Sequence, residues 1–558
     1  MSESSVEQEA AELAEMNQQG IAKRYGYYAR KSGPGWLQGA ITLGGGSLGG
    51  ALFLGSFMGY NMMWLQPLAM ILGVIMLSAI SYVTLSTGER PFLSVMKNVS
   101  PVLAWAWLIA TLMANIVWCM PQFALGTGAI RQNLGGSAIP VWGCGILLLA
   151  VGVSVNYFYG RGSKGVATFE LILKILVGIV VVSFFGVVVA LTASKVLDWG
   201  AVFKGLIPNL KMFESPAPTF DGPIAATGEF AQFWKDKITH TQRDVIISAF
   251  ATAVGINMTF LLPYSMLKKR WGKAHRPLAI FDLSIGLIIP FVIATGCVVI
   301  ASASQFHTKY SDVLYDDGAV NPQLEKSYNE FLDSRIQAER GDAFTAMTAE
   351  QLAAARGALP LGDRQLAAML VKRDNLQLAA ALEPLAGKAV SQFIFGIGVI
   401  GMAVSTIIIL MLINGFTFCE MLGKPGDQKT HMLGAVVAGV GGFLGPIWLW
   451  TGASKAALAI PTSVIGGSLL PIAYFTFLLL MNSKKVLGSS MMTGGRRIYW
   501  NTLMVISTSV ATFASIWALK DKSGFGIPFG KIGIGVLVLL FVVGTVGFLG
   551  HNKKADKA

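Results

Sequence analysis

The chain has 558 residues, of which 53% are apolar and 13% charged, where an ordinary soluble domain carries about 25% charged residues. This composition excludes a disordered chain, a collagen-like chain and a disulfide scaffold, and it argues against a single soluble globule. The formal net charge of +13 would suggest nucleic-acid binding in a soluble protein, but a membrane protein collects basic loops on one side, so we expect no nucleic-acid partner.

The first 32 residues are polar, which predicts a cytoplasmic tail and no cleavable signal peptide. The rest of the chain contains apolar stretches of the length that a spanning helix needs, about 20 residues. Because such helices must be embedded in lipid, the bilayer is an expected partner. The sequence predicts twelve spans, numbered 1 to 12 in chain order: 36–58, 62–85, 101–124, 138–158, 166–192, 244–266, 278–303, 389–417, 431–451, 456–481, 499–519 and 528–549.

The spans predict a division of the chain into two repeats of five helices and a two-helix extension. An insertion at 304–388 has helix-like patterns from Leu324 to Arg340 and from Asp363 to Leu385, which favour a small folded cap; an insertion without a role in transport stays open. The predicted segments are the tail 1–32, the first repeat 33–192, a loop 193–243, the second repeat 244–481 with its insertion, and the extension 482–558.

Lysine and arginine fall on alternate loops. With the N-terminus inside, the inner segments hold 22 of these residues and the short outer loops hold 4. The positive-inside rule then predicts that both termini are cytoplasmic and that the loop 193–243 and the insertion 304–388 are outside. We expect an integral, multi-pass protein of a bacterial inner (plasma) membrane.

Span 1 contains five glycines between Gly44 and Gly50, around Ser47. Each glycine costs a helix about 1 kcal/mol relative to alanine, so this cluster predicts an unwound turn. Unwound backbone at membrane depth is tolerated only where it lines a cavity or is buried in protein. Close packing against another helix is the alternative, because Gly46 and Gly50 have the small-xxx-small spacing.

Span 6 carries a second cluster of helix-breaking and polar residues, with Gly255, Asn257 and Thr259 at mid-span and Pro263 after them. A mid-membrane asparagine indicates either a binding site or a hydrogen bond to a neighbouring helix. Spans 1 and 6 are five apart, and an odd repeat length inverts the second repeat. Interrupted helices at corresponding positions of inverted repeats predict a transport site near the bilayer midplane.

These residues resemble the NRAMP family of divalent-metal transporters. The resemblance is carried by Gly33-Pro-Gly35 and Gly59-Tyr60 around span 1, by Ser405-Thr406 in span 8, by Leu470-Pro-Ile-Ala in span 10 and by Asn482-Ser-Lys-Lys-Val-Leu-Gly488 after it. It covers most of residues 33–490, apart from the long outer loops. It implies an all-α LeuT-like fold of 5+5 inverted repeats, with the first and sixth helices interrupted and two trailing helices.

The site motifs depart from the family. By spacing, the family's Asp-Pro-Gly-Asn break of the first helix corresponds to Gly44, Gly45, Gly46 and Ser47, and its Met-Pro-His of the sixth helix to Asn257, Met258 and Thr259. The acidic ligand is thus absent, and an amide takes the place of the thioether. Oxygen ligands suit harder cations, so this set argues against selectivity for Mn or Fe and favours a partly hydrated ion.

The resemblance therefore implies a secondary transporter that moves a cation, in particular a divalent metal ion, by alternating access. No resident cofactor is expected. The predicted substrate-binding residues are Gly44, Gly45, Gly46, Ser47, Gly255, Asn257, Met258, Thr259 and Ser463, with Ser47 and Asn257 as the expected metal ligands. Further polar residues that could line the path are Asn115, Gln122, Asn156 and Asn414.

Ionisable residues inside the spans are scarce. None of the five histidines is at mid-span, and the span acids Glu170 and Asp282 lie near the cytoplasmic end. The sequence pairs Glu170 with Lys174 and favours a capping or interfacial role for Asp282, so we expect weak or no proton coupling.

Two other functions stay open on the sequence alone: transport of a small organic solute on the same scaffold, and a transport-dead receptor or scaffold whose cap binds a partner. A soluble enzyme is not expected, because no Walker sequence, HExxH or CxxC motif is present.

Overall fold

The computed structural model describes residues 3–159, 162–445, 447, 459–520, 522–523 and 527–555. These residues are predominantly helical, and no β-sheet is found among them. A helix lies at each of the twelve predicted spans: Pro34–Thr42 with Gly45–Met58, Leu65–Thr87, Pro101–Gly128, Val141–Tyr159, Gly162–Ala193, Ala231–Ala251 with Ile256–Lys268, Arg276–Leu283 with Ile289–Phe306, Phe395–Met421, Gln428–Leu444, Ala459–Leu480, Gly494–Leu519 and Phe529–Ala555.

Within the described part of the chain, nine helices are long and apolar enough to cross a membrane, or up to eleven if each bent pair counts as one span. Short π-helical segments extend or interrupt spans 3, 7 and 8, at Ala129–Asn133, Ser284–Ile288 and Ala389–Ile394. The ends and loops add short helices: Glu3–Met16, Ile21–Lys31, Pro91–Asn98, Trp199–Lys204, Leu210–Phe213, Pro218–Phe220, Asp221–Ala225, Gly228–Phe230, Lys273–His275, Lys484–Leu487 and Gly488–Ser490.

The insertion 304–388, which we call the cap, is folded as its helix patterns predict. The first predicted helix is found at Glu325–Arg340, whereas the second is divided into Leu361–Met369 and Asn375–Lys388. Two further helical segments of the cap are Gly341–Ala346 and Ala349–Ala358. The buried Asp363 of the cap accepts hydrogen bonds from Arg335 Nε on another cap helix (3.1 Å) and from Trp234 Nε1 on the helix Ala231–Ala251 (2.6 Å), so it also ties the cap to the bundle.

Both predicted interruptions are present. Span 1 consists of span 1a (Pro34–Thr42) and span 1b (Gly45–Met58), which meet at an angle of 53°. Span 6 consists of span 6a (Ala231–Ala251) and span 6b (Ile256–Lys268). The second break thus lies at 252–255, earlier than the predicted 255–259, because Gly255 is the N-cap of span 6b and the helix has already restarted at Asn257.

Span 1a is anchored at its amino end by an acidic side chain of span 7. The Asp282 carboxylate accepts the backbone N–H groups of Gly33 (3.0 Å) and Gly35 (2.6 Å), so its predicted capping role is confirmed. The two backbones touch here, because a Cβ at Gly35 would lie 2.1 Å from the Asp282 carbonyl oxygen. Asp282 thus joins the amino end of span 1a to span 7.

The predicted Glu170–Lys174 pair is wrong. Glu170 forms a salt bridge with Lys269 at 3.0 Å, and Lys174 donates to the Ser32 carbonyl at 2.7 Å. Lys269 follows span 6b, and the tertiary fold brings it close to the residues that precede span 1a. A prediction from the local i, i+4 spacing does not include such a distant partner. All these charges pack around the residues that precede span 1a and hold its amino end in place.

We expect Asp282→Ala to lower the thermal unfolding temperature of the detergent-purified protein clearly. The change leaves two buried N–H groups without an acceptor, and each costs about 1–3 kcal/mol. Asp198→Ala is the matched control, because Asp198 is an exposed N-cap that accepts only the Ala201 N–H, at 3.0 Å, and such caps contribute about 1 kcal/mol. Equal unfolding temperatures for the two variants would contradict the anchoring role of Asp282.

Candidate functional site

The two breaks face one small cavity in the centre of the bundle. Spans 1 and 6 form two of its walls, and span 3 closes it with Trp118, Pro121 and Gln122. Its volume is about 40 Å³. One buried water needs a cavity volume of roughly 10–15 Å³ by the same measure. The cavity therefore has room for an ion together with a few waters.

Most of the predicted site residues are brought together here. The predicted residues that line the cavity are Gly44, Gly46, Ser47, Gly255, Asn257 and Met258. Gly45 lies beside them and donates its N–H to Gln122 Oε1 at 2.7 Å. Thr259 is turned away and accepts a hydrogen bond from Trp107 Nε1 at 2.8 Å. The predicted Ser463 falls on the helix of span 10, but its side chain lies outside the described residues.

The Ser47 side chain holds the turn at the first break. Its hydroxyl accepts the Gly44 N–H at 3.1 Å and donates to the Gly44 carbonyl at 2.9 Å. The serine thereby supplies an acceptor for the Gly44 N–H at the break, while the Gly44 carbonyl also accepts the Leu48 N–H of the helix. The structure therefore shows Ser47 as a cap of the break that also lines the cavity.

Asn257 and Met258 present different chemistry at the second break. Asn257 Oδ1 accepts the Met258 N–H at 3.0 Å, whereas its Nδ2 has no hydrogen-bond partner among the described residues, although the side chain is fully buried. The Met258 sulfur lies 3.3 Å from both the Gly255 nitrogen and the Thr42 hydroxyl oxygen. Met258, which is itself one of the predicted binding residues, thus brings a thioether to the break beside the amide of Asn257.

Span 3 also supplies Trp118, a part of the cavity wall that the sequence analysis did not identify. A Cβ at Gly255 would lie 2.1 Å from the Trp118 ring, and a Cβ at Gly466 would lie 2.2 Å from it. Two glycines on different spans thus make room for one indole at the cavity. The sequence does not distinguish a tryptophan that lines a cavity from any other tryptophan in an apolar span.

The other polar residues named for the path have different environments. Gln122 lines the cavity, as proposed for it. Asn156 donates to the Ile408 carbonyl (3.0 Å) and Asn414 to the Gly434 carbonyl (2.8 Å), which are hydrogen bonds between helices. Asn115 is fully buried, and its polar atoms have no partner among the described residues.

No acidic side chain compensates a cation at this cavity. Its lining residues include no Asp, Glu, His or Cys, and the described part of the chain contains no group of three such residues placed to hold a metal ion. The remaining electrostatics are dipolar: spans 1a and 6a end at the breaks with their carbonyl groups, and spans 1b and 6b begin there with their N–H groups. The cavity offers neutral oxygen, amide and thioether donors.

The cap lies directly over the first break. A second cavity of about 20 Å³ is lined by Gly45 and Pro121 and by the cap residues Arg373, Asp374 and Asn375. Arg373 is fully buried and fixed by a bidentate pair with Asp312 (2.9 and 2.6 Å). Burial raises the pKa of the Asp374 carboxyl, whose oxygen caps the helix that follows it. The cap thus closes the cavity on the side where Gly45 lies.

The structure defines a class of membrane protein: an all-α bundle of the LeuT-like fold whose interrupted first and sixth spans meet at one central cavity. The family model described as Natural resistance-associated macrophage protein-like matches residues 35–331 and 364–519. The chain therefore belongs to the Nramp family. The match includes the loop 193–243 and extends beyond residue 490, so the resemblance reaches further than the sequence motifs predict; within the cap, 332–363 lies outside it.

Two plant relatives and several solved structures are similar to this chain. The proteins named Metal transporter Nramp3.1 and Nramp3.2 of Populus trichocarpa are 28% and 27% identical over 155 and 159 residues, which is 27% of this chain and about 30% of each relative's length. A crystal structure of a mutant of the Eremococcus coleocola manganese transporter matches with a TM-score of 0.65 at 12% identity, covering 96% of this chain and 97% of that one. The same transporter in complex with an aromatic bis-isothiourea substituted compound matches over the same shares with a TM-score of 0.55 at 13% identity. These structures show the shared fold.

Proposed function

We propose that this chain is a secondary transporter, not an enzyme, and that it moves a divalent metal ion across the membrane by alternating access around the two breaks. The observation that carries the proposal is the convergence of both interrupted spans of an Nramp-family fold on one central cavity. The relatives' names support the cargo, since they describe metal and manganese transporters.

The donor set supports a metal ion that keeps part of its hydration shell. Asn257 and Gln122 offer amide groups, Thr42 a hydroxyl and Met258 a thioether, and none of these carries a charge. A divalent ion without a carboxylate is best accommodated with several of its waters. The thioether adds affinity for soft ions such as Cd²⁺. The cavity of about 40 Å³ disfavours a larger organic solute in this conformation.

The same absence of ionisable groups supports weak or no proton coupling. Asp282 caps span 1a, and Glu170 is paired with Lys269, so both span acids have structural partners. The basic loops support an orientation with both termini in the cytoplasm and the cap outside, in a bacterial inner membrane.

The test is uptake by proteoliposomes that contain the purified full chain, across Mn²⁺, Fe²⁺, Co²⁺, Mg²⁺ and Ca²⁺, with the internal pH recorded. We expect saturable uptake of at least one of these ions and no change of internal pH during uptake. Empty liposomes give the background. If folded protein moved none of the ions, the divalent-metal proposal would fail, and organic solutes or partners of the cap would become the candidates.

A further inference from the structure

A larger cavity, of about 230 Å³, opens on the face of the bundle opposite the cap. It lies between the end of span 6b, the end of span 4 and the segment from span 8 to span 9, and it shares no lining residue with the central cavity. Lys268, at its rim, is eleven helical positions beyond Asn257, which corresponds to roughly 16 Å along the helix. The cavity is therefore separate from the transport site.

Its inner wall carries buried polar atoms of two residues on one helix. His431 is 7% exposed, and both of its ring nitrogens are buried at this wall. The buried Nε2 of Gln428, on the same helix, has no hydrogen-bond partner among the described residues. An unpaired buried donor is costly, and this one lies beside a space large enough for a molecule.

The other walls are aromatic. Tyr264 and Phe416 are stacked with their ring centroids 5.6 Å apart, and Tyr159 is stacked with His431 at 6.4 Å. Phe416 also meets His431 edge to face, at 5.2 Å. These rings present flat apolar surfaces next to the buried polar atoms of His431 and Gln428. A planar ring would fit such walls in offset-stacked or edge-to-face geometry.

Among the residues that line the cavity, Arg90 and Lys268 are basic and Glu420 is acidic, which leaves one positive charge in excess. Glu420 is neutralised by Arg90, whose Nη1 lies 2.6 Å from the carboxylate. Lys268 stands at the rim with its ammonium nitrogen 5.9 Å from the centre of the Tyr159 ring. Asp427, beside the cavity, directs its carboxylate to the N–H and hydroxyl of Thr430, at 2.8 and 2.6 Å. The excess charge and the unpaired Gln428 donor together favour an anion.

We propose that this cavity is a binding site for a small planar aromatic carboxylate. The ring stacks against Phe416 and Tyr159, and the carboxylate accepts hydrogen bonds from Lys268 and Gln428, with His431 as a further partner. The site joins span 6b to spans 8 and 9, so an occupant ties the second half of an interrupted span to its neighbours.

Calorimetric titration of the detergent-purified full chain with 2-naphthoate tests the site. We expect saturable binding at one site per chain. Lys268→Gln should weaken it at least fivefold, because it removes the charge-assisted bond and leaves the exposed rim otherwise intact. Lys273→Gln is the matched control, an exposed lysine five residues on and outside the cavity, and it should bind as the wild type does. His431→Phe should also weaken binding. If this variant of a buried residue fails to fold, the exposed Lys268→Gln variant still tests the proposal.

A wild-type titration that shows only linear partitioning into micelles would overturn the proposal. So would equal affinity of the wild type and Lys268→Gln. The neutral isostere 2-naphthalenemethanol completes the test, because binding as tight as that of 2-naphthoate would refute an anion site. Since the readout is binding and not uptake, the proposal stands or falls separately from metal transport.

Discussion

Gly44→Leu is expected to reduce metal-ion uptake to the background of empty liposomes. Gly44 has an extended backbone that any residue can adopt (φ −126°, ψ −175°), so the effect of a side chain here is steric. A Cβ at this position would lie 2.5 Å from the Thr406 hydroxyl oxygen and 3.2 Å from Gln122 Oε1. The rest of a leucine side chain would fill a cavity of only about 40 Å³.

The matched control is Gly178→Leu on span 5, where a Cβ would meet nothing within 4 Å. Both variants put leucine in place of a glycine in a spanning segment, but only one of them fills the cavity. We expect Gly178→Leu to retain wild-type uptake. A scaffold without transport function predicts that neither variant changes anything but stability. Wild-type uptake by folded Gly44→Leu would remove the central cavity from the transport path.

Substitutions of Asn257 are expected to change metal affinity in opposite directions. Asn257→Asp is nearly isosteric and replaces the unpartnered Nδ2 with a carboxylate oxygen, which brings a formal negative charge to a cavity whose lining residues carry none. Even at an effective dielectric constant of about 20, unit charges 4 Å apart interact by about 4 kcal/mol. We expect the half-saturating concentration of Mn²⁺ to fall at least tenfold, whereas Asn257→Leu should lose saturable uptake.

The control for net charge is Asn329→Asp on the cap helix Glu325–Arg340, remote from the central cavity. It adds the same charge and should leave the half-saturating concentration unchanged. Whether Asn257→Asp strengthens or weakens substrate binding also distinguishes a metal ion from an anionic or neutral solute as the cargo. Weaker binding in this variant would indicate that the site holds an anion or a neutral solute, and it would contradict the metal proposal.

The spans and their interruptions could be predicted from the sequence because they depend on local composition. Apolar length defines a span, and the five glycines from Gly44 to Gly50 make a helix costly at one place. The inverted repeat could be predicted because spans 1 and 6 are five apart, and an odd number of spans per repeat reverses the orientation of the second repeat. For the same reason most of the predicted site residues, Asn257 and Met258 among them, do line one cavity.

The exact break in span 6 could not be predicted. Residues 252–254 include no glycine or proline, and the visible signal begins at Gly255. In the structure Gly255 is the last residue of the break and caps span 6b, so Asn257, Met258 and Thr259 are helical. Thr259 consequently faces Trp107 and lies outside the lining of the cavity. A capping glycine and an unwinding glycine look the same in a sequence.

Contacts between residues that are far apart in the chain could not be predicted from the sequence either. Trp118 reaches the cavity only because Gly255 and Gly466, far away in the chain, leave space for its ring. Glu170 bonds to Lys269, across 99 positions, although Lys174 has the favourable local spacing.

Equilibrium binding of Mn²⁺ to the purified chain tests most directly whether the two breaks form one metal site. The account predicts one saturable site per chain in the wild type, the same site in Gly178→Leu, and its loss in Gly44→Leu. Absence of saturable binding to the wild type, or an undiminished site in folded Gly44→Leu, would contradict it.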